Sequence, residues 1–354
     1  MDLEKLESVF INEPAYRLKQ AKRSLFVDLI EDWKEALVLP LPLREKLNED
    51  CPIGIDAEIF FTEDKNTIKI ALKLNDGAVI ESVLMKHKDS RNTVCVFSQV
   101  GCPLNCSFCA TGKLGFKRNL AQYEILEQVL FFSRYLKKDP PATLRKQSVA
   151  MRAGKVSNIV FMGMGEPFLN YENVLGVIRI LNGKEAFNIG ARHISISTSG
   201  IIEGIEKLAE EKIQVNLAIS LHAPDDELRS RLMPVNEKSP LEGVLKSVDD
   251  YIIKTKRRVM FEYLLIKDVN DFDSCVNKLA KIMKRPLCFV NLISYNPTGV
   301  FVPSPSWRIE QFKEILEKEG VHTTRRYRFG QNIKAACGQL ASSALSGDED
   351  DFGL

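Results

Sequence analysis

The sequence predicts an α/β protein: a partial barrel of six strand–helix steps, preceded by a small helical domain and a β-hairpin extension. Three observations predict it. Apolar residues recur at helical spacing within residues 1–50, the period shortens to that of strands between 55 and 85, and from about residue 92 short β-branched runs alternate with longer amphipathic ones. Repeated strand–helix steps favour parallel strands with helices outside, and such folds place their chemistry at the C-terminal ends of the strands.

The elements follow in order. Leu18, Ala21, Leu25, Leu29 and Trp33 lie at helical spacing in a domain spanning residues 1–50. Arg17, Lys19, Lys22 and Arg23 crowd the same segment, and by themselves they read as a solvated helix face. Within residues 51–90, the runs 59–61, 68–72 and 79–83 read as strands, and Asn75-Asp76-Gly77 supplies the positive-φ residues a hairpin turn needs. The barrel, residues 91–340, has expected strands at 93–98, 157–162, 192–197, 213–220, 258–266 and 287–293. Helices are expected at 122–138, 171–182, 201–211, 240–254, 272–284 and 307–319. The polar, basic stretch 139–156 reads as an exposed loop, and the acidic end, 341–354, as a disordered tail.

A net charge of +2 leaves nucleic-acid binding to local basic clusters. Eight cysteines lack the spacing of a secreted disulfide scaffold, and the start of the chain shows no basic region followed by an apolar run. No apolar stretch reaches membrane-spanning length. The expectation is a cytoplasmic protein with no membrane, whose clustered cysteines are metal or redox sites.

Cys102, Cys106 and Cys109 form a C-x3-C-x2-C loop after the first barrel strand. Thiolates are the normal ligands of iron–sulfur clusters, and three of them leave the fourth iron of a cubane open. Structural zinc is the rival. It takes a closed shell of four, which only Cys95 or a distant residue could complete here. After the second strand comes Gly163-Met164-Gly165-Glu166-Pro167, where glycines admit a ligand to the backbone and a carboxylate can accept from an ammonium group. Taken alone, this is also a tight strand-to-helix turn. Ser195–Gly200, Ser220-Leu221-His222 and Tyr295-Asn296-Pro297 end later strands at the same rim. Cys51, Cys275 and Cys288 read as small buried hydrophobes, and Cys95 and Cys337 admit that reading too.

The cysteine loop, with Phe108 before its last cysteine, resembles the radical S-adenosylmethionine (SAM) motif. The wider set is similar to the RlmN family of adenosine C2 methyltransferases, whose sister group, Cfr, acts at C8. The matching stretches include Cys95–Cys102, Phe161–Pro167, Leu232-Met233-Pro234-Val235-Asn236 and Ala336-Cys337-Gly338-Gln339-Leu340, within a likeness from about residue 12 to 345. Tyr16–Gln20 and Leu39–Leu47 look like the family's N-terminal accessory domain.

The resemblance implies a radical SAM barrel holding a 4Fe–4S cluster on Cys102, Cys106 and Cys109. It implies SAM contacts at Gly165, Glu166, Ser197, Ser220, Leu221, His222 and Asn296, and two SAM molecules per turnover. One SAM methylates Cys337; the second, cleaved reductively, gives a radical that activates this methyl for addition to adenine. Cys95 then displaces the product from Cys337 as a disulfide forms, and Glu81 is the base that takes the ring proton. The implied partners are 23S rRNA at the peptidyl-transferase centre, tRNA at an anticodon-loop adenosine, a flavodoxin or ferredoxin-like electron donor, and a thiol reductant, with the enzyme a monomer. A target adenine must leave its stack to reach a barrel interior, which makes the basic segments 17–23 and Arg325, Arg326 and Arg328 candidates for phosphate contact. Pro167 sides with the C2 branch. Three features depart from the family's pattern: the length of 139–156, Phe97 where a small polar residue is common, and Gly330-Gln331-Asn332-Ile333.

Overall fold

The structure, a computed structural model, describes residues 2–138 and 154–326, and beyond these 330, 333, 335, 338 and 339. Helices Leu3–Val9, Ala15–Phe26 and Leu41–Asp50, with a 3-10 turn at Trp33–Glu35, form the N-terminal layer. Its own core buries Leu6, Leu25, Trp33 and Leu47, and Leu130 from the barrel closes it. The helical spacing through Trp33 suggests one continuous helix, but the helix ends at Phe26. Leu29 takes φ +56, and Asp32 opens a new turn as a capping box with Glu35.

Strands β1 (Ala57–Phe61), β2 (Thr67–Lys73) and β3 (Val79–Lys86) pair antiparallel, and β3 pairs antiparallel with β4 (Asn92–Cys95). The hairpin therefore does not stand apart from the barrel; it is an antiparallel wing of the same sheet. A separate two-stranded ribbon, β5 (Gln99–Gly101) and β6 (Phe116–Asn119), flanks the cysteine loop. The parallel part continues through β7 (Asn158–Phe161), β8 (Ile194–Thr198), β9 (Asn216–Ser220), β10 (Val259–Leu265), β11 (Cys288–Ser294) and β12 (Thr323–Arg325). The ten-stranded order is β1-β2-β3-β4-β7-β8-β9-β10-β11-β12.

The six expected barrel strands are present, and β12 adds a seventh that its length hid from the sequence pattern. β4 stops at Cys95 rather than reaching residue 98, because the Gln128 side chain takes both the N–H (2.8 Å) and the carbonyl (3.1 Å) of Phe97. The six expected helices are also present, from Gln122–Lys138 to Ser306–Lys318. An unforeseen short helix, Asp226–Leu232, is started by Asp225, whose side chain accepts from the N–H of Leu228 at 3.0 Å. Of the loop 139–156 only residues 154–156 are described, and the tail 341–354 lies outside the described residues.

Side-chain alternation along the strands decides what faces what. Ile70, Ile80, Val94, Ile159, Ile196, Leu217, Phe261 and Val290 are buried in the main core on one face. The register puts Lys69, Glu81, Cys95, Ser197, Ser220, Glu262 and Asn291 on the other, concave face. A barrel interior this polar has room for a ligand rather than only packing.

Candidate active site

Cys102, Cys106 and Cys109 line one cavity at the C-terminal ends of the parallel strands. The loop is pinned at both sides: the Cys102 N–H donates to the Gly115 carbonyl (3.0 Å), and the Ser107 N–H donates to the Leu232 carbonyl (2.9 Å). None of the three thiols is in a disulfide. Burial, then the charge of neighbouring thiols, pushes Cys102 up to about 12 and Cys106 well above its ordinary value. Such thiols stay protonated unless a cation stabilises their thiolates, which is what a bound metal does. Three cysteines around one cavity fit a group with a separate corner for each sulfur, as an iron–sulfur cubane has.

The turn after β7 is shaped by close approach. Gly165 has φ +102, and a Cβ there would lie 2.7 Å from the Cβ of Gln99. A Cβ on Gly163 would lie 2.3 Å from the ring of Phe97. Phe97, expected near the substrate, is instead fully buried in the main core beneath this turn, so the departure is one of packing. The Glu166 N–H donates to Gln99 Oε1 (2.9 Å). Its carboxylate accepts from the N–H of Ser199 (2.7 Å) and of Phe168 (3.1 Å). Burial raises the Glu166 carboxyl while these backbone donors oppose the rise. The side-chain hydroxyls of Thr198 and Ser199 oppose it as well.

Ser197 and Ser220, on β8 and β9, stand with their hydroxyl oxygens 3.3 Å apart. His222 follows at φ +57, and its Nδ1 accepts from the Leu264 N–H at 3.1 Å, which places the ring proton on Nε2. Burial holds the imidazole neutral, down to about 3. Its ring meets Phe108 of the cysteine loop edge-on, with centroids 5.0 Å apart. Leu221 and Asn296 are buried but do not line the cavity.

Other expected site residues fall elsewhere. Cys95 and Glu81 do not line this cavity. They lie diagonally across the β3–β4 pair on the concave face, since Val83 is the register partner of Cys95. Glu81 Oε1 accepts from Lys69 Nζ at 2.9 Å, and Oε2 has no hydrogen-bond partner among the described residues. Burial raises this carboxyl and Lys69 opposes the rise. Cys337, Arg328, Gln331 and Asn332 lie outside the described residues. Gly338, next to Cys337, lines the cavity, and its carbonyl accepts from the Ala110 N–H at 2.9 Å.

The basic segments also divide. Lys19 and Arg23 line a groove with Lys155 and His193, which precede β7 and β8; this groove is at the opposite strand ends from the cavity. Arg325 faces outward to Glu310, whereas Arg326 turns into the cavity. The sequence reading missed three groups. Glu262 lines the cavity within β10, and its only signal was a single charge in an apolar strand. Arg326 was noted only as a phosphate contact. Arg229, fully buried, donates to the carbonyl of Ser199 (2.6 Å) and to Asn236 Oδ1 (2.6 Å), tying the short helix to the Glu166 turn.

The sequence matches the Radical SAM superfamily over residues 96–275. A protein of Dictyoglomus turgidum named as a probable dual-specificity RNA methyltransferase RlmN is 44% identical over 94% of this chain and 92% of its own. The ribosomal RNA large subunit methyltransferase N of Nitrosopumilus maritimus is 41% identical, covering 93% of each chain. The crystal structure of a radical SAM methyltransferase from Sphaerobacter thermophilus superposes with a TM-score of 0.89 at 41% identity, covering 96% of this chain and 97% of that one. The chain belongs to the radical SAM superfamily and, within it, to the RlmN family of RNA methyltransferases.

Proposed function

We propose that this radical SAM RNA methyltransferase methylates C2 of an adenosine in the peptidyl-transferase centre of 23S rRNA and of an anticodon-loop adenosine in tRNA. Cys337 is the methyl carrier and Cys95 the resolving thiol. The reading rests on one observation: Cys102, Cys106, Cys109, Glu166 and His222 share a single cavity, and Gly338, beside Cys337, is in its wall. A 4Fe–4S cluster with SAM on its open iron would supply reductive cleavage and so carbon-centred chemistry at a ring position too poorly nucleophilic for direct methyl transfer.

The chain's own residues do the rest. Glu166, locked by two backbone N–H groups, receives the ammonium of SAM. Ser197, Ser220 and His222 Nε2 complete the contacts along the rim, with Leu221 and Asn296 buried behind it. Cys337 takes a methyl group from a first SAM; a second SAM serves the cluster. Glu81, raised by burial and with one open oxygen, takes the ring proton. Once the Cys337 carbon is bonded to C2 and the ring has lost its proton to Glu81 and one electron, which the cluster would take up, the Cys95 thiolate attacks the Cys337 sulfur; the bond from Cys337 to the transferred carbon breaks, its electron pair takes up a proton to complete the methyl group, and the methylated base leaves as the disulfide forms. A thiol reductant restores both cysteines, and a flavodoxin or ferredoxin-like donor supplies electrons. The enzyme works as a monomer in the cytoplasm, and among the described residues no helix is long and apolar enough to cross a membrane.

The test is nucleoside mass spectrometry on unmodified 23S rRNA and tRNA treated anaerobically with reconstituted protein, SAM and a reductant. A 2-methyladenosine peak that vanishes in Cys337→Ala is expected; 8-methyladenosine would move the protein to the C8 branch. Cys95→Ala is expected to accumulate a covalent protein–RNA adduct on denaturing gels. Free methylated RNA at normal yield from that variant would remove Cys95 from the resolving step.

A further inference from the structure

The segment after the cysteine loop is anchored at both ends and turns its side chains to solvent. Ala110–Lys113 form one helical turn, and Leu114 and Gly115 lead from it into β6. Close packing fixes this turn against the loop: a Cβ on Gly101 would lie 1.8 Å from the Gly115 carbonyl oxygen, and one on Gly112 would lie 3.1 Å from the Cα of Asn105. The Gly115 carbonyl also accepts from the Cys102 N–H at 3.0 Å, so the turn is one hydrogen bond from the backbone of a cysteine. Farther along β6, Arg118 donates to both carboxylate oxygens of Glu124 (2.7 and 2.8 Å) and to Asp76 (2.7 Å).

At the tip, Leu114 is 42% exposed and Phe116 47% exposed, an apolar pair on either side of Gly115. Lys113 and Lys117 flank the pair and are exposed as well. Arg231, also exposed, precedes Leu232, whose carbonyl accepts from the Ser107 N–H on the other flank of the loop. Arg118 is neutralised by its two acids, whereas Lys113, Lys117 and Arg231 form no ion pair among the described residues. Cys102, Cys109 and Thr111 line the cavity; Leu114, Phe116 and the three cations do not. An apolar spot with a basic rim therefore lies on the outer side of the cysteine loop. Exposed apolar side chains grouped within a polar rim mark a contact surface, and an unneutralised basic rim draws an acidic partner. RNA is acidic too, but its target base has to enter the cavity, which these side chains do not line. An electron for the three-thiol site has the opposite need: with cofactor and base in the cavity, the outer side of the loop is the way in.

We propose that Leu114 and Phe116, framed by Lys113, Lys117 and Arg231, dock an acidic one-electron carrier protein on the outer side of the cysteine loop. This rests on the reading that Cys102, Cys106 and Cys109 hold the cluster. Contacts of this kind are small, steered by charge and quickly released. The test uses anaerobically reconstituted protein and an acidic flavodoxin as the probe. Affinity for the flavodoxin is read by surface plasmon resonance, and the rate of SAM cleavage is read with reduced flavodoxin or with dithionite as the electron source. Wild type is compared with Lys113→Glu combined with Lys117→Glu, with the milder Lys113→Gln combined with Lys117→Gln, and with Phe116→Ser; iron content and melting temperature are recorded for each. Charge reversal is expected to weaken flavodoxin binding about ten-fold or more and to slow flavodoxin-driven cleavage by a similar factor, the glutamine pair and Phe116→Ser by less. Dithionite-driven cleavage and RNA affinity are expected to stay within about two-fold of wild type, and wild-type binding of flavodoxin to weaken as salt rises. Unchanged flavodoxin affinity in the charge-reversed variant would overturn the assignment, and so would an equal loss with dithionite. A loss of RNA affinity with flavodoxin binding intact would make the surface an RNA contact instead. Wild type that takes up no iron would overturn the reading of the three thiols, a failure that the binding measurement separates from one of the surface.

Discussion

The parallel part of the sheet and its antiparallel wing each bury a carboxylate on the same concave face, and they hold it differently. In the parallel part, Glu262 is oriented by the neutral amide of Asn291 and borders the cavity. In the wing, Glu81 is paired with Lys69 from the adjacent strand and stands away from that cavity, diagonal to Cys95. Asn291 is neutral and leaves Arg326, 3.7 Å away, to offset the charge of Glu262, whereas Lys69 offsets the charge of Glu81 directly at 2.9 Å. Architecture imposes the division. Parallel strands all end at one rim, so their turns can surround a cofactor. Antiparallel strands of a wing offer only mid-strand side chains, which suits a few fixed groups such as a thiol and a carboxylate.

The largest expected effect comes from emptying the parallel side. Cys102→Ala should lower bound iron and bring methylation below detection, read by iron assay and nucleoside mass spectrometry, while Glu81 and Cys95 stay in place. Next, Glu81→Gln should slow methylation by about a hundred-fold or more with SAM affinity within about two-fold of wild type. A matching loss of SAM affinity in calorimetry would break the division between the two regions.

Lys69→Met sharpens it on the stability side. It leaves Glu81 buried without its cation and should cost about 3–5 kcal/mol in denaturant unfolding, most of it recovered in Lys69→Met combined with Glu81→Leu. The smallest effect is a pH slope. The folded His222 sits at about 3, below its ordinary 6.5, so its contribution to stability is present above 6.5 and lost as pH falls toward 3. The raised carboxyls of Glu166 and Glu262 act in the opposite sense, losing stability as pH rises through their range. Subtracting His222→Gln from wild type in melting curves of the cluster-free protein should isolate a slope of up to about 1.4 kcal/mol per pH unit.

The cysteine loop and the Glu166 turn were legible because each is a short run of residues whose spacing states its chemistry. Strand and helix positions were legible from periodicity, apart from β5, β6, β12 and the helices Ala110–Lys113 and Asp226–Leu232, all too short to show a period. The break after Phe26 was hidden because Leu29 and Trp33 keep helical spacing while the backbone leaves the helix. Phe97 stood out as a departure from the family's pattern close to Cys95, and packing under Gly163 takes it into the core.

By itself the sequence determined the α/β order, the three-cysteine loop and the resemblance that led to the family, because each depends on residues close together in the chain. Tertiary structure alone decided that the hairpin joins the barrel sheet and that Arg326 turns inward. It also decided that Lys69 meets Glu81, and that Glu262 stands with Ser220 and Asn291 behind one cavity. Those pairings depend on strand register and on contacts between residues far apart in the chain, which local periodicity does not encode.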